Sequence, residues 1–459
     1  MKRIAVVGGG ASGLAAAIAA GERVRALRNR SVGAKLEACE VVIYEADERV
    51  GRSIFATGNG RCNFSNEHVM NGQYRNTPFV EEVFSSLEER YTRLCDESFR
   101  DTPRDASEDT SAANAVQVFF ADHGLLWRTE ADGKLYPITN KASSVLDVLR
   151  AAAFACGVKE KCGVAIASIE EPCGESNQYI LRTRDGVFMH ADAVILACGG
   201  RAGMGWSVGG CSPSMLVPQN KEFPVSASHL VLGPLKTKGD TVKSLDGVRV
   251  RCKASLWRKK HQVASEYGEL LFRNYGVSGI MIFNLSRQTL LYDELHIDFF
   301  PSIELDSIEG FVHARYELLS RNGLVNTCDD FLRGMILPSI ARVIEASVDV
   351  TGKTRANEYL CLKLMRALKC FRLGIIGMAN VNQCQVVRGG LMVDAFDART
   401  MESLVCPGFF SAGEAVDVDG DCGGFNLHWA WASGMLAGIS AAERVLLGDA
   451  RAGEDMFLD

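Results

Sequence analysis

The chain has 459 residues, 47% hydrophobic and 23% charged, with a net charge of −6 at pH 7. That size and balance fit a soluble globular protein of two or three domains around a large core. They exclude a broad electrostatic pull toward nucleic acid or anionic membranes, although a local basic groove stays open, and no apolar run free of glycine turns reaches the roughly 18 residues of a membrane span. Fifteen cysteines are scattered without a C-x-x-C pair. Zinc spacing is therefore absent, no metal site is expected, and the thiols read as reduced, mostly buried small residues of a cytoplasmic protein.

Residues 4–13 read I-A-V-V-G-G-G-A-S-G. Four apolar residues predict a buried strand, Gly8, Gly10 and Gly13 a tight turn, and residues 14–20 a small-residue helix. In that order G-x-G-x-x-G carries a mechanism. Gly8 permits the turn, Gly10 lets a pyrophosphate approach the backbone, Gly13 lets helix and strand pack closely, and the helix N-terminus holds the phosphates. The Met1-Lys2-Arg3 start before an apolar run has the outline of an export leader. Glycines and serines at phosphate-loop spacing are poor in a membrane-seeking helix, which favours the strand. A second strand at 41–44 ends at Glu45, an acid suited to a ribose hydroxyl. Its distance from Gly13 exceeds the usual roughly 20 residues, so charge-rich 21–37 must be a helix extension or a loop.

Arg49-Val50-Gly51-Arg52 and then A-T-G-N-G-R-C-N-F-S-N (56–66) follow. Gly58 and Gly60 permit close backbone approach, while Arg61 and Asn63 bring a fixed charge and an amide, as a cofactor extending beyond its adenosine would need. Residues 77–94 predict a helix, and 95–114 a polar, acidic mobile loop. Next come a short strand and helix over 133–149, then a meander over 166–169, 179–184 and 187–190 with a turn at Asp185-Gly186. A buried strand at 193–200 ends in A-C-G-G, as a parallel strand delivers backbone to a ligand at its carboxyl end.

Glycines and prolines after Gly200 mark a domain boundary. Residues 248–257 and 280–285 read as strands, and 307–371 as helical, so an insertion over 206–374 holds a β part (206–305) and a helical part (306–374). Residues 1–205 and 375–459 then form one split domain. Its tail returns to glycine loops through residues 412–427, with a last buried strand at 409–412 and a closing helix at 427–442.

Four glycine-punctuated segments (8–13, 58–63, 197–200, 413–426) exceed the need of one nucleotide and suit FAD. Glu414 is placed to accept from ribityl hydroxyls. Gly423-Gly424-Phe425-Asn426, opening the last helix, would aim N–H groups at the flavin ring and stabilise charge on its reduced form.

On T-G-N-G-R-C-N-F-S-N (57–66), N-K-A-S-S-V-L-D-V-L (140–149), A-C-G-G (197–200), G-E-L-L-F (268–272), Y-G-V-S-G (275–279), T-M-E-S (400–403) and A-G-E-A-V-D-V-D-G-D-C-G-G-F-N-L (412–427), nearly the whole chain resembles the aminoacetone-oxidase-like or bile-acid-reductase-like NAD(P)/FAD-dependent flavoproteins. The resemblance implies an α/β fold: a Rossmann-like FAD-binding domain, split in sequence, with an inserted barrel-like and helical domain. It implies that Ile166 contacts adenine and that Arg61, Asn63, Glu414 and Asn426 line the cofactor. With the glycine loops, the expected FAD set is Gly8, Gly10, Ala11, Ser12, Gly13, Glu45, Arg52, Gly58, Gly60, Arg61, Asn63, Ile166, Cys198, Gly199, Gly413, Glu414, Gly423, Gly424, Asn426 and Leu427. The chain departs from the family at Cys198 (usually threonine), at 205–211, where an aspartate is lost, and at Asn274 (usually histidine), so no particular substrate is carried over.

The flavin would carry hydride from NAD(P)H, a transient co-substrate, to an acceptor. Arg61 and Asn63 are candidates to polarise a substrate carbonyl, and His428 or Tyr275 to supply a proton. With no covalent nucleophile, metal cluster or redox cysteine pair, the leading expectation is reduction of an activated C=C in a small molecule. Reduction of uridine in ribosomal RNA is the rival, favoured by the basic, tryptophan-bearing run 249–260. An amine oxidase and a flavin-bearing protein without turnover remain open.

Overall fold

The computed structural model describes residues 1–30, 36–69, 73–98, 114–172, 177–200, 212–218 and 221–448. Most of the expected acidic loop (99–113) and the glycine-rich 203–211 stretch lie outside them. Among the described residues no helix is long and apolar enough to cross a membrane.

The chain divides into a unit of residues 1–230 and 386–459 and a second unit of residues 231–385. The sequence boundaries at 205/206 and 374/375 fall earlier than these. Two pairings move them. Val225–Val231 pairs with Val386–Leu391 as a two-stranded ribbon, and Phe371–Met378 is needed to close a barrel, so the chain leaves the second unit only beyond it.

The first unit is built on a five-stranded parallel sheet in the order Phe409–Ser411, Ala193–Leu196, Lys2–Val7, Cys39–Glu45, Lys159–Cys162. Ile4, Ala5 and Val6 and the whole of Ala193–Leu196 are buried on both faces, which is why these segments read as unbroken apolar runs. One covering layer is a helix pair, Ala11–Arg30 against Phe425–Leu447. Their seam is closed by missing side chains: a Cβ on Gly434 would lie 2.3 Å from the Ser12 carbonyl oxygen, and one on Gly438 2.2 Å from that of Ala16. Two small antiparallel sheets complete the unit. Ile166–Glu170, Tyr179–Thr183 and Phe188–Ala191 form the expected meander, and Ser65–Asn66, Lys134–Pro137 and Trp127–Thr129 the other.

In the second unit six strands close a barrel, in the order Leu235–Thr237, Gly276–Ser278, His261–Arg273, Arg249–Arg258, Glu294–Asp298, Phe371–Met378. Alternate residues such as Cys252, Ala254, Leu256, Leu295 and Ile297 are buried, while Arg249, Arg251 and Lys253 face solvent. The helical part is Ile308–Arg321, Cys328–Leu332, Pro338–Ser347 and Glu358–Lys369.

Candidate functional site

The turn after the central strand is shaped by sterics. Gly8 has φ +106°, and a Cβ there would lie 2.4 Å from the Ala197 carbonyl oxygen; one on Gly13 would lie 1.9 Å from that of Gly8. Only glycine fits either place, so the helix beginning at Ala11 and Ser12 starts hard against the strand end. Gly10 differs: its Cβ would meet only Ser53 Oγ, at 3.4 Å, and a Cβ on Gly199 would meet nothing within 4 Å. Main chain at these two positions borders open space.

Glu45 closes one side of the turn. Its Oε2 accepts the Gly9 N–H at 2.6 Å and its Oε1 the Asp47 N–H at 2.8 Å. Burial pushes its pKa up, and the two N–H groups oppose that rise. Gly163 N–H donates to the Asp47 carbonyl and Val164 N–H to that of Glu45, both at 2.8 Å. These bonds bring buried Ile166, at the head of its strand, next to the acidic turn. Arg52 lies half exposed and reaches Asp47 Oδ1 at 3.1 Å.

Opposite stands Glu414. Its carboxylate accepts the Gly200 N–H at 2.9 Å and the Val387 N–H at 2.6 Å, and burial pushes its pKa up. Gly413, at φ +65°, would place a Cβ 2.6 Å from Ser12 Oγ. Its N–H donates to Ser433 Oγ at 2.9 Å, and its carbonyl accepts the Trp429 Nε1–H at 3.1 Å. Segments 8–13, 45–52, 163–166, 197–200 and 413–414 thus gather at the carboxyl ends of the parallel strands, with Cys198 abutting Gly8.

The other two glycine segments meet each other. Gly58, Asn59, Gly60 and Cys62 all take left-handed φ angles. A Cβ on Gly424 would lie 2.3 Å from the Ser65 carbonyl oxygen and 3.0 Å from Asn63 Oδ1. Asn66 Nδ2 donates to the Gly423 carbonyl at 3.0 Å. Asn426 serves its own loop: its Oδ1 accepts the Gly420 N–H, and its Nδ2 donates to the Gly420 and Asp421 carbonyls. Leu427 follows, half buried, in the first turn of the last helix. At this junction Asn63 Oδ1 is buried and accepts no hydrogen bond.

Arg61 is held on three sides, by Asn140 Oδ1 (2.6 Å to Nε), by an ion pair with Glu130, and by the Tyr136 ring 3.9 Å beneath its guanidinium. His428 is 2% exposed, with Nδ1 2.8 Å from Ser65 Oγ and its ring edge-on to Phe84. Burial pulls its pKa down to about 3, so the imidazole is neutral. Tyr275 belongs to the second unit, half buried between the strands His261–Arg273 and Gly276–Ser278.

Sequence reasoning missed what braces these loops. Arg75 grips Asp417 at 3.0 and 3.1 Å, Arg388 grips fully buried Asp419 at 2.9 and 2.8 Å, and the Gly389 N–H adds a bond to Asp417. The alternation of aspartates in V-D-V-D-G (416–420) was the available signal. Tyr74, whose hydroxyl donates to the Phe425 carbonyl at 3.0 Å, had none.

FAD passes the test these residues set. Gly8 and Gly13 close the turn, Gly10 and Gly199 border open space as a bound phosphate would require, and Asn63 Oδ1 is a buried acceptor without a protein partner, as a flavin ring N–H would require. Fold and site define an FAD-dependent oxidoreductase of the Rossmann type. The chain belongs to the HI0933-like family: the HI0933-like protein Rossmann domain matches residues 107–440. It is 32% identical to the 3-dehydro-bile acid delta(4,6)-reductase of Clostridium scindens, over 97% of this chain and 100% of that protein. It is 24% identical to the ribosomal RNA dihydrouridine synthase of Escherichia coli, over 93% of this chain and 95% of that one. The crystal structure of the 3-ketosteroid-delta4-(5alpha)-dehydrogenase of Rhodococcus jostii aligns with 96% of this chain and 97% of its own at TM-score 0.44 and 14% identity.

Proposed function

We propose that the chain reduces an activated C=C bond of a small molecule, one conjugated to a carbonyl, with NAD(P)H as the source of hydride. In this reading residues 8–13 hold the pyrophosphate, Ile166 packs on adenine, and Glu45 and Glu414 use their remaining lone pairs for the ribose and ribityl hydroxyls. When bound, FAD supplies two-electron hydride chemistry. The observation that carries the assignment is Asn63, a buried acceptor left unmatched where two glycine loops meet, since buried polar atoms are otherwise almost always satisfied. Asn63 orients the ring. Arg61, fixed by Glu130, Asn140 and Tyr136, keeps a positive charge beside it. His428, neutral and bound to Ser65, is assigned to anchoring the start of the last helix. The activity of the Clostridium scindens relative supports an enone as acceptor.

Uridine in ribosomal RNA is the second acceptor to consider, because of the Escherichia coli relative and the basic run on the barrel. Acids answer part of that run: Arg249 forms an ion pair with Glu269 and Arg258 with Asp293 at 2.9 Å, while Asp298, across from Lys253 in register, is held by Lys369 at 2.7 Å. Two of the run's six cations are thus neutralised, which lowers the charge it offers to a phosphate backbone; the choice of a small molecule rests on the Clostridium scindens relative.

The test is anaerobic mixing of the flavin-loaded protein with NADH or NADPH, then reoxidation. Bleaching followed by recovery with a conjugated enone, and not with ribosomal RNA, is expected. Bleaching with recovery only on RNA transfers the assignment to the rival, and no bleaching with either nicotinamide removes NAD(P)H from it.

A further inference from the structure

The barrel's outer face carries a second set of reactive side chains, on elements that hold none of the flavin loops. Glu294 and His296 stand two residues apart on one strand and so share a face. Arg372 lies directly across from His296, and Trp257 directly across from Glu294. The intervening Leu295 and the neighbouring Phe371 and Leu373 are buried, so the register turns the first four outward together. Cys370, half buried at the end of the helix Glu358–Lys369, precedes Arg372 by two residues and joins the same face.

The contacts define roles. Glu294 Oε2 lies 3.0 Å from His296 Nε2. A carboxylate oxygen accepts, so Nε2 donates in this contact, and in the neutral imidazole Nδ1 is then the acceptor. Cys370 Sγ faces that Nδ1 at 3.8 Å, within reach for sulfur, and Arg372 Nε donates to the same sulfur at 3.4 Å. The Trp257 ring stacks on the imidazole at 5.0 Å and 19°, fixing its plane. Nucleophile, base and base-orienting acid in sequence is the arrangement that activates a side chain for attack, and here a guanidinium N–H stands ready for charge developing on sulfur.

We infer that Cys370 is a nucleophilic thiol that captures soft carbon electrophiles, specifically alkenes conjugated to a carbonyl, as thioethers. In the addition the Sγ–C bond forms at the β-carbon while the alkene π pair moves to the α-carbon. The thiol proton passes to His296 Nδ1 and from there to that α-carbon. No oxidant or reductant enters the balance, and the barrel alone supports the inference, independently of the flavin reading.

The chain supplies its own reference thiols. Cys39, Cys156 and Cys162 are also half buried, but burial pushes the first two up to about 12 and about 11 and raises the third, so little thiolate is present at neutral pH. Cys39 faces the Glu40 carbonyl rather than an imidazole.

The experiment uses N-ethylmaleimide, itself an alkene conjugated to carbonyls, on the full chain at neutral pH, with adducts assigned by peptide mass spectrometry over time. Cys370 is expected to react about tenfold faster than the three reference thiols, and His296→Asn to slow it about tenfold while leaving their rates unchanged. A Cys370 rate comparable to the references overturns the inference, as does a His296→Asn variant that labels like the wild type. Should the reference thiols accelerate in that variant, showing a loosened fold, Glu294→Gln decides: slowing confined to Cys370 supports base catalysis, and an unchanged rate overturns it.

Discussion

Gly438→Ala sets two effects of known size against each other. Inside a helix, alanine in place of glycine ordinarily gains about 1 kcal/mol of propensity. At this position the new Cβ would lie 2.2 Å from the Ala16 carbonyl oxygen and 3.0 Å from the Ala20 nitrogen, both main chain. Overpacking a close-packed interior costs about 1–3 kcal/mol, and main chain yields less than a flexible side chain, so the upper part of that range applies. The expected net result is a loss of about 2 kcal/mol after the propensity gain is deducted. Gly310→Ala is the internal standard: it lies in the helix Ile308–Arg321 with nothing within 4 Å, so the gain of about 1 kcal/mol should appear unopposed. Urea unfolding of the flavin-free protein reads both, with the buried Trp429 and Trp431 reporting on the first unit by fluorescence and far-ultraviolet circular dichroism on the whole. Flavin retention should fall in Gly438→Ala alone, because the displaced Ala11–Arg30 helix begins at the phosphate turn. A Gly438→Ala protein as stable as the wild type, beside a stabilised Gly310→Ala, would refute the close seam.

Asn63→Leu removes an acceptor that has no partner and so should leave the flavin-free protein as stable as before, while weakening flavin retention about tenfold, or about 1.4 kcal/mol; paired melts with and without FAD separate the two. Glu414→Gln forces an amide N–H toward the Gly200 or Val387 N–H and should cost about 1–3 kcal/mol together with loss of bound flavin, measured by flavin content after gel filtration. His428 supplies a pH signature. Its folded pKa of about 3 lies below the ordinary 6.5, so on acidification the unfolded chain takes up a proton that the folded chain refuses, and stability falls. That contribution is about 1.4 kcal/mol per pH unit between roughly pH 6 and 4. Urea midpoints across that range should show a correspondingly flatter profile for His428→Gln, and an unchanged slope would contradict the buried neutral imidazole.

What the sequence disclosed follows from how local each feature is. The strand–turn–helix at 4–20 was readable because Gly8 and Gly13 act on neighbours a few residues away, and the meander around Asp185-Gly186 because its alternation is short. The helix runs on to Arg30, which the charged stretch E-R-V-R-A-L-R had left undecided; Val24 and Leu27, three apart and buried, anchor the extension. Side-chain partners were hidden wherever they come from distant main chain. Glu45 and Glu414 read as acids waiting for sugar hydroxyls, yet each also ties down two backbone N–H groups, and Gly200 and Val387 lie 214 and 27 residues from Glu414. Arg61 read as a substrate contact, and nothing near it in sequence announced Asn140, Glu130 and Tyr136. The inserted barrel was expected from the family resemblance and is there, but the residues themselves showed only a β part, since its closure depends on Phe371–Met378, beyond four intervening helices.

The sheet's edge strand Phe409–Ser411 and the helix Phe425–Leu447 laid over Ala11–Arg30 both lie some two hundred residues or more beyond the other strands of the sheet. During synthesis the first two hundred residues leave the ribosome on the order of tens of seconds before their covering helix exists. For that interval Ala15, Ala16, Ala19 and Ala20, all buried in the finished fold, face the cell uncovered. Closure of the cofactor turn at Ala11 and Ser12 therefore waits on the synthesis of Phe425–Leu447.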